Sequence, residues 1–201
     1  MSCARRLLAP VRTAREEGFR KLKRPADPLR RLLVRARRLR PKLGPVLFQL
    51  PGNFRADLPR LDVFLAALGR QRHVPGLRVV LEVRHPSWLE PAIVGRLRDA
   101  NVALCLADWR ECPVHDVITA DFVYVRRHGT RRRYGGSYSE GELRGDARAI
   151  RGWQQEGRDV YVYFNNDGRA AAVHNTVRLR ALVQGRVLRG ATAPARRMAA
   201  G

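Results

Sequence analysis

The chain has 201 residues, 45% of them hydrophobic, which is enough for one domain with a real core and too few to argue for two. Its net charge of +22 would ordinarily point to a polyanion, but of the 40 basic residues only Lys21, Lys23 and Lys42 are lysine, an arginine skew that looks like coding bias. The cysteines Cys3, Cys105 and Cys112 form no close CxxC pair and support neither a disulfide framework nor a zinc knuckle, so a reducing cytoplasm is the expected location.

Residues 1–24 show no sustained periodicity and read as an irregular leader; the faint twin-arginine pattern at Arg5-Arg6-Leu7-Leu8 has no apolar core behind it. The domain proper is expected over residues 25–184. Asp27 is placed to cap a helix with Pro28 at its first position, and Leu29, Leu32, Leu33, Ala36 and Leu39 follow at helical spacing. Six arginines between Arg30 and Arg40 cover the remaining surface, a solvated face over a packing stripe or a site for phosphates.

Pro45 to Leu50 reads as a strand with Gln49 near its carboxyl end. Asp57 and Pro59 open a helix striped by Leu61, Phe64, Leu65 and Leu68, and the strand Leu77 to Arg84 follows, apolar until Glu82 and Arg84. A strand buried on both faces has no reason to end in a carboxylate and a guanidinium unless they pair or line a site. Pro91 starts a helix that feeds the strand Val102 to Ala107, tipped by Asp108. A short extra strand is expected at Val117 to Thr119, before Phe122 to Arg126, with Arg126 and His128 on one parity. Ser139 and Glu142 form a capping box for a helix to about Glu156. The strand Asp159 to Phe164 ends in Asn165 and Asn166, a helix runs from about Arg169 to Val183, and residues 185–201 read as a basic disordered tail.

Strands separated by helices of this length imply an α/β fold with a parallel sheet, in which ligands sit at the carboxyl ends of the strands. All five expected strands carry polar groups there, and five in succession argue for a shared polar pocket.

The segments LGPVLFQLP, VVLEVRHPSW, ADFVYVRRHG, the Tyr134 to Tyr138 loop and VYVYFNN, in this order and spacing, closely resemble the YecE-like family, domain of unknown function 72, from about Lys21 to Val183. The resemblance implies a TIM-type β/α barrel without an established activity. It also implies a set of characteristic polar positions: Gln49, Glu82, Arg84, His85, Trp88, Asp108, Arg126, His128, Tyr134, Tyr138, Asn165 and Asn166. The family's first three strand motifs are absent here, so the expectation is an incomplete barrel of about five strands from a truncated member.

Glu82 and Arg84 form either a structural ion pair or part of a substrate site, in which case Glu82 is the natural general base. Asp108 is its acidic companion, or a cap of the following turn through Cys112. His128 is the third catalytic candidate, weighed against a hydrogen-bonded structural histidine. The ligand-binding candidates are Gln49, Arg84, His85, Trp88, Arg126, Tyr134, Tyr138, Asn165 and Asn166. Loops after the last strands of such barrels often bind phosphate, and those here hold Arg126, His128, Arg131 to Arg133, Gly135, Gly136, Asn165, Asn166 and Gly168. The partner expected is therefore a small anionic or polar ligand. The alternative is nucleic acid, bound without sequence preference by the arginine surface. No membrane partner is expected, since no apolar run approaches the roughly 18 residues of a spanning helix, and the His, Asp and Glu spacing supplies no case for a metal.

Overall fold

The computed structural model describes residues 9–12, 21–130 and 134–185. Cys3, most of the expected leader, Arg131 to Arg133 and the tail from residue 186 lie outside the described residues.

Strands and helices alternate along the chain. The order is β1 (Ala9–Arg12), α1 (Ala26–Ala36), β2 (Leu43–Gln49), α2 (Leu58–Arg70), β3 (Val79–Glu82), α3 (Pro91–Asp99), β4 (Val102–Leu104), β5 (Leu106–Ala107), β6 (Phe122–Arg127), α4 (Glu140–Gln155), β7 (Asp159–Phe164) and α5 (Ala171–Val183). Every strand pair is parallel, in the orders β1-β2-β3-β4 and β5-β6-β7. β4 and β5 are one line of chain interrupted at Cys105, whose N–H still reaches the Leu81 carbonyl at 2.9 Å. The result is a strand surface that follows chain order, with the carboxyl ends of the strands all on one side.

Two expectations about strands are corrected. Ala9–Arg12, expected within an irregular leader, pairs with β2 through Val11 and Val46; four residues with one apolar neighbour pair are too short to show a period. Val117 to Thr119, expected as a strand, is not one. Thr119 is buried, and its hydroxyl accepts from the Leu104 N–H and donates to the Val102 carbonyl, both at 2.7 Å. A side chain thus takes the place of a strand beside β4.

The helices pack on the outer face for readable reasons. Asp57 accepts from the Arg60 N–H at 3.1 Å and starts α2, whose Phe64 meets Phe48 of β2 edge-on at 5.0 Å. Fully burying a side chain of that size stabilises the fold by about 3 kcal/mol. Ser139 and Glu142 form the reciprocal capping box at the start of α4. At the first helix the expected cap moves: α1 begins at Ala26, so Asp27 lies inside its first turn and favours the helix dipole instead.

Two contacts tie the two sheets together. Arg78, just before β3, reaches Asp159 and Tyr161 of β7, each at 2.6 Å, beneath the inward rings of Tyr124, Tyr161 and Tyr163. At the opposite end Glu82 reaches β6. Between β5 and β6, residues 108–121 cross without a helix, and α4 lies over β7 and the neighbouring strands. No helix among the described residues is long and apolar enough to cross a membrane.

Thr119→Val keeps the volume but strands a buried N–H and a buried carbonyl, each costly to leave unmade. We expect a loss of about 2 kcal/mol, seen as a lower urea midpoint with an unchanged slope.

Candidate functional site

Parallel registers bring the polar strand ends level. Gln49 pairs with Glu82 across β2 and β3, and Ala107 pairs with Arg126 across β5 and β6. Because side chains alternate, Glu82, Cys105, Tyr124 and Arg126 turn inward, and Arg127 turns outward to Asp146 of α4.

The carboxylate of Glu82 is fully buried and answered on both sides. Oε1 accepts from Arg84 Nε at 3.0 Å, and Oε2 accepts a shorter bond from Arg126 Nη1, 44 residues away. Both arginines also donate to the Gln49 amide oxygen, Arg84 through Nη2 at 3.0 Å and Arg126 through Nη1 at 3.2 Å. Asn165, with its amide oxygen turned to Arg126, accepts from Nη2 at 2.7 Å and Nε at 3.1 Å. The Arg84 guanidinium lies 3.8 Å from the centre of the Trp109 ring, a cation–π contact sheltered from water.

His128 stands at the edge of this network. Its Nε2 is 3.6 Å from Glu82 Oε1, too long for a hydrogen bond, and this buried nitrogen has no hydrogen-bond partner among the described residues. Its ring meets Trp109 at 5.2 Å and Tyr134 at 5.8 Å, both edge-on. Tyr134 is held at φ +61, a conformation non-glycine residues seldom adopt, and its N–H donates to the His128 carbonyl at 2.7 Å.

Burial alone would raise the Glu82 carboxyl. His128, Arg126 and Arg84 pull it down and prevail, to about 2. Since the His128 contact is long, the two bonded guanidinium groups are the firmer cause. For Arg126 burial acts downward, and the Glu82 carboxylate more than offsets it, so its pKa rises.

Asp108 holds the chain after β6 rather than capping the turn through Cys112. Its Oδ1 accepts from the His128 N–H at 2.6 Å and its Oδ2 from the Tyr138 hydroxyl at 2.5 Å, while that hydroxyl accepts from the Gly129 N–H at 2.7 Å. Burial and then Asp108 push the Tyr138 hydroxyl well up, so it stays protonated as the donor. The pair fastens Gly129 and Tyr138 to the end of β5, and Cys112 is left to bond Trp109 through its backbone.

The remaining candidates divide. Asn166 donates to the Gly136 carbonyl at 2.8 Å and to Asn175 of α5 at 2.9 Å, which ties the same loop to the last helix. His85 accepts from the Ser87 N–H through Nδ1 at 3.2 Å and caps the short 3-10 turn Pro86–Leu89. Trp88 has no accessible surface, packs edge-on against Phe54, and donates from Nε1 to the Phe54 carbonyl at 2.8 Å. It offers no free atom to a ligand. The structure therefore joins Gln49, Glu82, Arg84, Arg126, His128, Tyr134 and Asn165 in one cluster and leaves His85 and Trp88 in supporting roles. Trp109, which from the sequence could either stack on a ring or lie as a lid over the core, is set against the Arg84 guanidinium. Among the described residues no group of three or more His, Cys, Asp or Glu is arranged to hold a metal ion.

The sequence model of a family described as "Protein of unknown function DUF72" matches residues 12–198. A crystal structure of a DUF72 family protein from Thermotoga maritima is similar to this fold with a TM-score of 0.76 and 22% identity, over 88% of this chain and 74% of that one. Two crystal structures of a DUF72 family protein from Enterococcus faecalis give TM-scores of 0.59 at 23% and 21% identity, each over 72% of this chain and over 60% and 62% of theirs. No curated protein matches.

The Glu82 network makes stability depend on acid. The folded carboxyl sits near 2, below its ordinary 4.5, so its contribution is complete above about pH 4.5 and is lost as pH falls toward 2. The amount is on the order of 3 kcal/mol. Glu82→Gln leaves two buried guanidinium groups uncompensated, and we expect a loss of about 3 kcal/mol or more at pH 7, with a flatter stability profile between pH 5 and 2. Chemical unfolding across that range measures both.

Proposed function

The chain belongs to the DUF72 family, and from that premise we propose that it is part of a TIM-type β/α barrel whose carboxyl-terminal mouth binds a small anionic or polar ligand. Parallel pairing in chain order, helical crossovers and the contacts between the two sheets support the barrel reading. One observation carries the ligand reading: two guanidinium groups converge on one carboxylate, so the cluster keeps a net positive charge where dielectric screening is weak. Arg84 is its outermost cation, with its side chain 12% exposed and stacked on Trp109. A carboxylate or phosphate arriving at the rim would meet Arg84, the Asn165 amide and the Tyr134 ring.

Within that mouth the three catalytic candidates take different roles. A general base works best with a pKa near the working pH, and Glu82 near 2 is far below it. We assign Glu82 to fixing Arg84 and Arg126, and Asp108 to holding the loop. His128, with Nε2 unpartnered and buried beside the carboxylate, is the group placed to accept or donate a proton.

A second reading rests on a separate surface. Arg30, Arg31, Arg35, Arg37 and Arg38 are exposed along α1 and the turn after it, a basic stripe suited to the nucleic-acid backbone.

Titration with inorganic phosphate and with citrate, followed by calorimetry, tests the first reading. Arg84→Met is expected to weaken binding at least tenfold and to cost some stability through its lost bonds to Glu82 and Gln49, and wild-type affinity in that variant would sink the pocket reading. Binding of a DNA duplex that falls steeply from 50 to 200 mM salt, survives Arg84→Met and is lost in Arg35→Ala/Arg38→Ala would favour the second.

A further inference from the structure

The outer face of the sheet holds a site unrelated to the mouth. Because residues 108–121 cross from β5 to β6 without a helix, the helical layer has a gap there, and a cavity of about 190 Å³ lies between the strands and α4. Its floor is the outward side chains Leu106, Val125 and Val162, and its wall is Ile150 and Trp153 of α4. The polar end is the Arg127–Asp146 pair, in which Arg127 donates through Nε to Oδ2 at 3.0 Å and through Nη2 to Oδ1 in a shorter bond. Exposed His115 and Asp116 stand at the rim, where the absent helix leaves an entrance.

We propose that this cavity binds a compact, uncharged aromatic ring carrying one hydroxyl or N–H, of the size of phenol or indole. The volume exceeds the roughly 150 Å³ that suffices for benzene in an engineered apolar cavity. The floor and the α4 wall are apolar while the Arg127–Asp146 end and the rim are polar, so a ring entering from water gains by burial over the apolar part, and Trp153 supplies an aromatic neighbour. The charge at the polar end is already balanced within a bidentate pair, so a formal charge on the ligand would lose its hydration without gaining a free counter-ion. A neutral donor fits better, because each Asp146 oxygen keeps acceptor capacity beyond its single bond to Arg127. Arg126 and Arg127, adjacent on β6, face opposite sides of the sheet, so the two sites are structurally separate.

The test is a titration of the full isotope-labelled chain with indole, watching the side-chain N–H signals of Trp153 and Arg127 by two-dimensional NMR. Saturable shifts of both are expected, at least tenfold weaker affinity for indole-2-carboxylate, and at least tenfold weaker affinity for indole in Ala149→Phe, which fills the cavity. Arg84→Met should leave indole binding unchanged, so failure at the mouth and failure here are told apart. Shifts that do not saturate, or equal affinity for indole and its carboxylate, would overturn the proposal. The ligand comparison decides the matter even where Ala149→Phe does not fold.

Discussion

The buried carboxylate of Glu82 is the constraint around which the carboxyl ends of the strands are arranged. Burying one carboxylate with two guanidinium groups carries a desolvation cost of several kcal/mol per ion, which is recovered only with good geometry and few unmet lone pairs. Both oxygens of Glu82 are used, and Gln49 and Asn165 take donors left on the arginines. The network therefore spans β2, β3, β6 and the end of β7, tying strands that are not neighbours in the sheet. Hydrophobic contact is tolerant of small sliding, whereas this set of bonds admits one register. The inward ring stack of Tyr124, Tyr161 and Tyr163 fills the space beneath it, and Arg78 holds the other end of the same interior.

A second constraint acts where the repeating strand and helix pattern fails. Between β5 and β6 the chain has fourteen residues without a helix, and polar groups do the tying that helix packing does elsewhere. Thr119 satisfies the β4 backbone, and Asp108 at the end of β5 takes the His128 N–H and the Tyr138 hydroxyl. Tyr138 then hands support to Asn175 through its own N–H at 3.3 Å, and Asn175 meets Asn166. Gly129, Gly136 and Tyr138 are thus held from β5, β6 and α5 together, and Tyr134 beside them keeps a strained conformation next to His128. The same missing helix opens the outer face of the sheet.

Much of the fold is legible in the sequence because the signals are local. Apolar runs ended by charged residues in VVLE and FVYVRR mark β3 and β6, Asp57 with Pro59 marks α2, and Ser139 with Glu142 marks α4. The pairing of Glu82 with Arg84 is also local, two residues on one face of a strand. What is not legible depends on distance along the chain. Nothing in the sequence joins Glu82 to Arg126 rather than to Arg84 alone, or Asp108 to Tyr138, since these meetings are set by strand register and the meeting of the two sheets. Thr119 sits in a β-branched stretch that looks like a strand, and its role as a hydroxyl bridge appears only once β4 stands beside it. Trp88 reads like a ring at a mouth, yet its position two residues past Pro86 turns it under Phe54 and into the core.

The electrostatics of the cluster decide how chemistry could be divided there. A carboxylate held near 2 by two arginines is ionised at any physiological pH, and removing its charge would expose both cations to a low-dielectric surrounding. Protonating Glu82 is therefore costly in the folded state, and a mechanism that asks it to take a proton must first break a structural pair.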